Sequence, residues 1–138
     1  FAFRIATAIA DARRVSRITR TIELAGIIKA AVPANYEQGR IHPATRTFQA
    51  LRMAVNDEIQ SLKQAIESAY SILAPNGRLA IISFHSIEDR VVKLALKDEE
   101  KWSNLYKRPL TPGEQELTEN PRSRSAKLRI ATKNEPSL

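Results

Sequence analysis

The stretch "LAIISFHSIEDR", Leu79 to Arg90, decides the fold. Its first half, Leu79 to Phe84, is apolar on both alternating faces, the pattern of a strand covered on two sides in a parallel sheet. Such a strand cannot stand alone. The second half turns at once to helical spacing: Ile87, Val91, Leu94 and Ala95 share a face, and Ser86 with Asp89 has the spacing of a capping box. Just upstream, "APNGR" (Ala74 to Arg78) is a tight turn that closes a long helical pattern. Helix, turn, buried strand, helix is half of a doubly wound unit, so the fold class expected is α/β.

Upstream of that turn, Phe48, Leu51, Val55, Ile59, Leu62, Ile66, Ala69 and Leu73 alternate steps of three and four. Asn56 or Asp57 can cap a new helix, so the pattern fits either one long rod or two helices meeting near Val55. Pro43 suits the first turn of this run. Earlier still, Phe1, Ile5, Ala8, Ile9, Ala12 and Val15 mark the buried face of a surface helix. Thr21 is expected to cap a second, which runs to about Ala31 with Pro33 beyond its end. "VPANYEQGR", Val32 to Arg40, is a loop. Downstream, Lys97 to Asn120 is polar and punctuated by proline, anchored by Trp102 and Tyr106, and a short strand can form around Tyr106. Ala126, Leu128, Ile130 and Thr132 then alternate with Lys127, Arg129 and Lys133, which predicts a final antiparallel strand with one polar face.

Composition narrows the function. A chain of 138 residues is about the size of one domain. No apolar run approaches the roughly 20 residues that cross a bilayer, so a soluble protein is expected. The absence of cysteine excludes disulfides and thiolate metal sites and fits a reducing cytoplasm. With His42 and His85 as the two histidines, no metal cluster is expected. A net charge of +7 and a pI near 10.1 favour a polyanionic partner, either nucleic acid or an acidic surface. The chain opens in mid-helix pattern without methionine, "FAFRIATAIADARR", and reads as cut from something longer.

Three groups of residues carry candidate chemistry. Thr45, Gln49, Arg52 and Asn56 fall on one helical strip with His42 and Arg46 alongside. Arginine's planar fork grips phosphate or carboxylate, and glutamine or asparagine can read a base edge. A solvated helix face is the plainer account, against which stands the scarcity of lysine and glutamate in this strip. The second group is Ser83, His85 and Ser86, at the carboxyl end of the buried strand, where open α/β sheets bind ligands. Glu88 and Asp89 suit the positive first turn of the helix that follows. The plainer account makes Ser86 a helix cap and His85 a partly buried residue with a backbone partner. A serine hydrolase fails for want of a G-x-S-x-G elbow. The third group, Arg122, Arg124, Lys127 and Arg129, suits a nucleic-acid backbone, or serves as edge-strand charge against aggregation.

Three stretches, in this order, "HPATRTFQALR" (His42 to Arg52), "SFHSIEDR" (Ser83 to Arg90) and "NPRSRSAKLR" (Asn120 to Arg129), resemble the signatures of the bacterial ribosomal RNA small subunit methyltransferase H family, also called MraW. "ELAGIIKAAVP" (Glu23 to Pro33) resembles that family's inserted helical region, so the likeness covers nearly the whole chain. Ile87 stands where the family more usually has leucine. The resemblance implies transfer of a methyl group from S-adenosylmethionine to cytidine N4 in 16S rRNA, with no metal, on a Rossmann-like domain interrupted by helices. Residues 1–40 would belong to the inserted substrate-recognition region and 41–138 to the Rossmann-like domain. The family's glycine-rich donor loop and acidic ribose position lie before those helices, and Gly26, Gly39, Gly77 and Gly113 form no such loop. The expectation is therefore the C-terminal half of the enzyme, with a partial sheet and no donor loop of its own. Ser83 and His85 would lie near the acceptor amine, and His42, Arg46, Gln49, Arg52, Ser86, Arg122 and Arg124 would contact RNA or the pocket wall. A non-catalytic helical RNA-binding module is the alternative from another class.

Overall fold

The computed structural model describes residues 1–39 and 41–135, in two compact units, Phe1–Asn56 and Asp57–Leu138. The sequence reading divided the chain after Arg40; the geometric division falls after Asn56.

The first unit is helical. Helices α1 (Ala2–Val15), α2 (Thr21–Ala31) and α3 (Thr45–Val55) surround a core of Ile5, Ile28, Ala31, Val32 and Ala44, with Ala8, Ile9, Leu24 and Phe48 half-buried against it. Of the apolar positions expected on α1 and α2, Ile5, Ala8, Ile9, Leu24, Ile28 and Ala31 pack here, while Phe1 and Val15 are exposed. Ile28 is fully buried, a contribution of about 1.5–3 kcal/mol from its side chain. Thr21 is the first helical residue rather than the cap; Arg20, in extended conformation, holds that place. Phe1 and Tyr36 meet edge to face at 5.3 Å. The expected loop contains a single 3-10 turn, Tyr36–Gly39, and its last residue, Arg40, lies outside the described residues. Pro43 precedes α3 rather than entering it. Of the apolar stripe on α3, Phe48 is packed, while Leu51 and Val55 are exposed.

Asp57 resolves the question of one rod or two helices. Its backbone is left-handed (φ 48°, ψ 40°), a conformation that aspartate tolerates better than most residues, and it separates α3 from α4 (Glu58–Ile72).

The second unit packs α4 and α5 (Ser86–Ala95) on one face of a three-stranded sheet. Its strands are β1 (Arg78–Ser83), β2 (Trp102–Asn104) and β3 (Lys127–Lys133), in the order β1-β3-β2, and both pairings are antiparallel. Ala80 faces Ile130 and Ser83 faces Lys127 in the register. Ile66, Val92, Leu96, Trp102 and Ala131 form the core, flanked by Leu79 and Ile81 on the inward face of β1. The outward face is open: Ile82 is 58% and Phe84 55% exposed. The parallel, doubly covered strand expected from "LAIISF" is thus an antiparallel edge strand, covered on one side, in what this chain builds. The apolar pattern reports which faces suit burial and carries no information on the direction of the neighbour.

The turn between α4 and β1 is fastened to β3. Asn76 N–H donates to Lys133 O (2.9 Å), and Lys133 N–H to Gly77 O (2.8 Å). A Cβ on Gly77 would stand 2.8 Å from Ala74 O, so the close approach requires glycine. Lys133 Nζ also donates to Tyr70 O and Leu73 O (both 2.7 Å), satisfying carbonyls at the end of α4. The final strand is antiparallel, as its alternation predicts. The short strand expected near Tyr106 forms slightly earlier, over β2. A short helix, α6 (Glu114–Glu119), and a 3-10 turn, Pro121–Ser125, complete the unit.

Candidate functional site

β1 delivers its last residues into the turn that starts α5. Ser83 is buried, Phe84 turns outward and His85 turns back in, with 13% of its side chain exposed. Alternation thus places Ser83 and His85 together on the helix-covered side. Ser83 Oγ donates a long hydrogen bond to Lys127 O on the paired strand (3.5 Å).

The cap of α5 is His85, one residue before the Ser86 that the spacing suggests. His85 Nδ1 accepts from Glu88 N–H (3.2 Å), while Glu88 Oε2 accepts from the N–H groups of Phe84 (2.9 Å) and His85 (3.3 Å), a reciprocal box. The reason is backbone conformation: His85 is extended, as a cap must be, whereas Ser86 is already the first helical residue. Ser86→Ala is therefore expected to change stability by less than about 0.5 kcal/mol. His85→Ala should cost about 1 kcal/mol through the cap, and paired thermal melts compare the two.

Because Nδ1 accepts, the neutral ring carries its proton on Nε2. That N–H is enclosed and has no hydrogen-bond partner among the described residues; Glu88 Oε1 lies 3.2 Å away but out of line. Glu58, from α4, brings a second carboxylate, and donor atoms of Glu58, His85 and Glu88 lie within 4.8 Å of one another. Imidazole with two carboxylates is a donor set that suits a divalent metal. The cap opposes that use, since a ligating Nε2 would need the proton moved to Nδ1 and the Glu88 N–H bond broken. The arrangement fits an enclosed histidine with carboxylate neighbours better than a ligand set.

Beside it, Asp89 joins α5 to β3. Arg129 Nε and Nη2 donate to its two oxygens (2.8 and 3.3 Å), and Lys127 Nζ lies 3.4 Å from Oδ2. The Arg129 hydrogen bond holds the Asp89 carboxyl below its usual pKa, against the opposing effect of burial and with help from the charges of Arg129 and Lys127. This pairing across 40 positions has no local signal in the sequence, which offers Lys127 and Arg129 either to a nucleic-acid backbone or to edge-strand charge.

In the helical unit, His42 Nδ1 accepts from Ala44 N–H (3.2 Å) and so shapes the entry to α3. Arg46 Nη2 pairs with Glu37 Oε2 at 3.1 Å; the arginine is 68% exposed and the glutamate 9%. Gln49 is half-buried and Arg52 exposed on the same helix. An apolar hollow of about 450 Å³, lined by Ile5, Ile9, Tyr36, Leu51 and Arg46, lies between α1 and α3. In the second unit, Arg122 and Arg124 are exposed on the 3-10 turn before β3, without an ion pair among the described residues.

The model of the MraW methylase family matches residues 1–134. The chain belongs to the MraW methylase family. Its similarity to individual members of that family is high: it is 53% identical over 128 residues to the ribosomal RNA small subunit methyltransferase H of Synechococcus elongatus, covering 93% of this chain and 42% of that protein. The protein of the same name from Persephonella marina is 48% identical over 134 residues, 95% of this chain and 46% of its own. That from Nostoc punctiforme is 52% identical over 130 residues, 94% of this chain and 43% of its own. The chain thus spans less than half the length of these MraW-family relatives. No helix among its described residues is long and apolar enough to cross a membrane.

Proposed function

We propose that the chain serves as the C-terminal part of an S-adenosylmethionine-dependent methyltransferase that modifies cytidine N4 in 16S rRNA of the small ribosomal subunit, in the cytoplasm. The observation that carries this is the identity of about half, along nearly the whole chain, with proteins named for small-subunit rRNA methylation. The unpaired edge of β1 and its open Ile82 and Phe84 face support a larger, Rossmann-like sheet, with residues 1–40 in a helical insertion.

The methyl donor does not fit this chain by itself. The glycines are scattered, and the first turn of α5 carries Glu88 and Asp89, which would repel the donor's carboxylate. We place the donor site outside these residues and the handling of the acceptor within them. Cytosine N4 is a weak nucleophile because its lone pair is delocalised, so it must be held in line and its proton accepted. The enclosed Nε2–H of His85, without a hydrogen-bond partner among the described residues, motivates its place near that amine as a donor that orients the base, since a buried polar atom without a partner calls for a functional explanation. Ser83, held against Lys127 O, supports the same turn. Arg46, Gln49 and Arg52, with His42, would position RNA, and Ser86, Arg122 and Arg124 would line its path.

The test uses a full-length family protein carrying this sequence, labelled donor, small ribosomal subunits and mass spectrometry of the rRNA nucleosides. N4-methylcytidine is the expected product; RNA binding with no transfer would favour the non-catalytic module instead. Calorimetry on the 138-residue chain alone should show little or no donor binding. Micromolar affinity there would overturn the division of labour.

A further inference from the structure

A groove of about 650 Å³ opens in the second unit between the C-terminal half of α5, strand β2 and residues 105–107. Trp102, almost fully buried, belongs to its lining, and Tyr106 lines it half-exposed. Lys93, Lys97 and Lys107 surround it, all exposed and none with an ion pair among the described residues. By contrast, Lys101 and Lys127 sit against Asp98 and Asp89, and Arg129, which also reaches the groove, is engaged by Asp89. Glu99 is the one carboxylate in the lining. Asn104 donates its amide N–H to Leu96 O (2.6 Å), which leaves its carbonyl oxygen as an acceptor.

Three cations with no ion pair among the described residues, around an available aromatic ring, is the composition of a single-strand nucleic-acid groove, in which lysines take phosphates and the ring takes a base face. An acidic protein segment would satisfy the lysines but gives no reason for the exposed tyrosine between them. We infer that this groove holds a single-stranded RNA segment flanking the methylated nucleotide, with phosphates at Lys93, Lys97 and Lys107 and one base on Tyr106. The inference rests on the proposed rRNA methylation and names a surface that its substrate would use.

The experiment measures anisotropy of a fluorescein-labelled single-stranded RNA of about 12 nucleotides with the full-length protein, a length within the site sizes typical of such grooves. Titrations run from about 50 to 200 mM salt. The triple variant K93E/K97E/K107E should bind at least tenfold more weakly, with the log–log salt slope reduced in magnitude by about 2, the value for three lost phosphate contacts on a single strand. Tyr106→Ala should weaken binding by about tenfold at unchanged slope, and Tyr106→Phe should restore it. These side chains are exposed, and thermal melts verify that the variants stay folded. Unchanged affinity and slope in the triple variant would overturn the groove. So would a loss confined to whole ribosomal subunits with oligonucleotide binding intact, which would indicate a protein partner. Methyl transfer by the unaltered protein is measured in parallel: its absence would reject the enzymatic reading, while the oligonucleotide titration still decides the groove.

Discussion

Asp89→Ala lowers the stability of the second unit by about 3 kcal/mol at neutral pH, the largest effect expected from any single change at the site. The substitution leaves the Arg129 guanidinium, with 11% of its side chain exposed, without the carboxylate that takes both its hydrogen bonds. Lys127 loses its partner at the same time. Removing one member of an enclosed pair costs far more than an exposed ion pair contributes, because the remaining charge stays desolvated. The sign of the pH dependence follows from the depressed pKa of Asp89. A carboxyl group that ionises more readily when folded contributes its stability above its unfolded pKa, about 3.9, and loses it as pH falls through the lower folded value. The gap between unaltered and variant protein, read from denaturant midpoints, should therefore be full at neutral pH and shrink below about pH 4. A gap that stays constant down to the acid transition would mean that the pair is not what the variant removes.

His85→Asn is the second large effect, and it separates chemistry from capping. Asparagine is a strong N-cap, so this variant should keep the start of α5 and melt close to the unaltered protein, unlike His85→Ala. It has no ring N–H at the position of Nε2. If the Nε2–H donates to the acceptor base and so holds it in line, single-turnover methylation by the full-length His85→Asn protein should fall by about 10²-fold or more, with RNA affinity nearly unchanged. An unaltered transfer rate in a stable His85→Asn protein would confine the histidine to its cap.

Where the sequence was readable, local chemistry decided the structure. The periodicity of Ile5, Ile28 and Ile66 placed α1, α2 and α4, and the pair Asn56–Asp57 marked the break that Asp57 makes with its left-handed backbone. The alternation of Leu128 and Ile130 marked β3. Where the outcome depended on partners distant in the chain, the residues alone were ambiguous. Nothing in "LAIISF" states that its neighbour is β3 running the other way, and nothing near Asp89 points to Arg129. The cap at His85 escaped for a different reason: a serine followed three residues later by an acid fits the familiar box, whereas the imidazole one position earlier reaches the same N–H through Nδ1. The groove escaped because nothing in their local sequence sets the lysines at 93, 97 and 107 apart until the fold brings them around Tyr106.

The strand order has a consequence for how this unit comes into being. β3 is the central strand, yet it follows both of its neighbours in the chain. During synthesis the helical unit has its whole core available early and can fold while the rest is still being made. Among the described strands β1 and β2 cannot pair with each other in this order, so their mutual sheet waits for Lys127–Lys133 to emerge, with Ile81 and Trp102 lacking that strand's cover in the meantime. Such long-range closure is slow, and chains stalled before it present apolar surface and unpaired strand edges. The nascent unit is thus most vulnerable to chaperone capture and proteolysis in the interval between making Trp102 and making Lys133, and the last strand is the one that closes that interval.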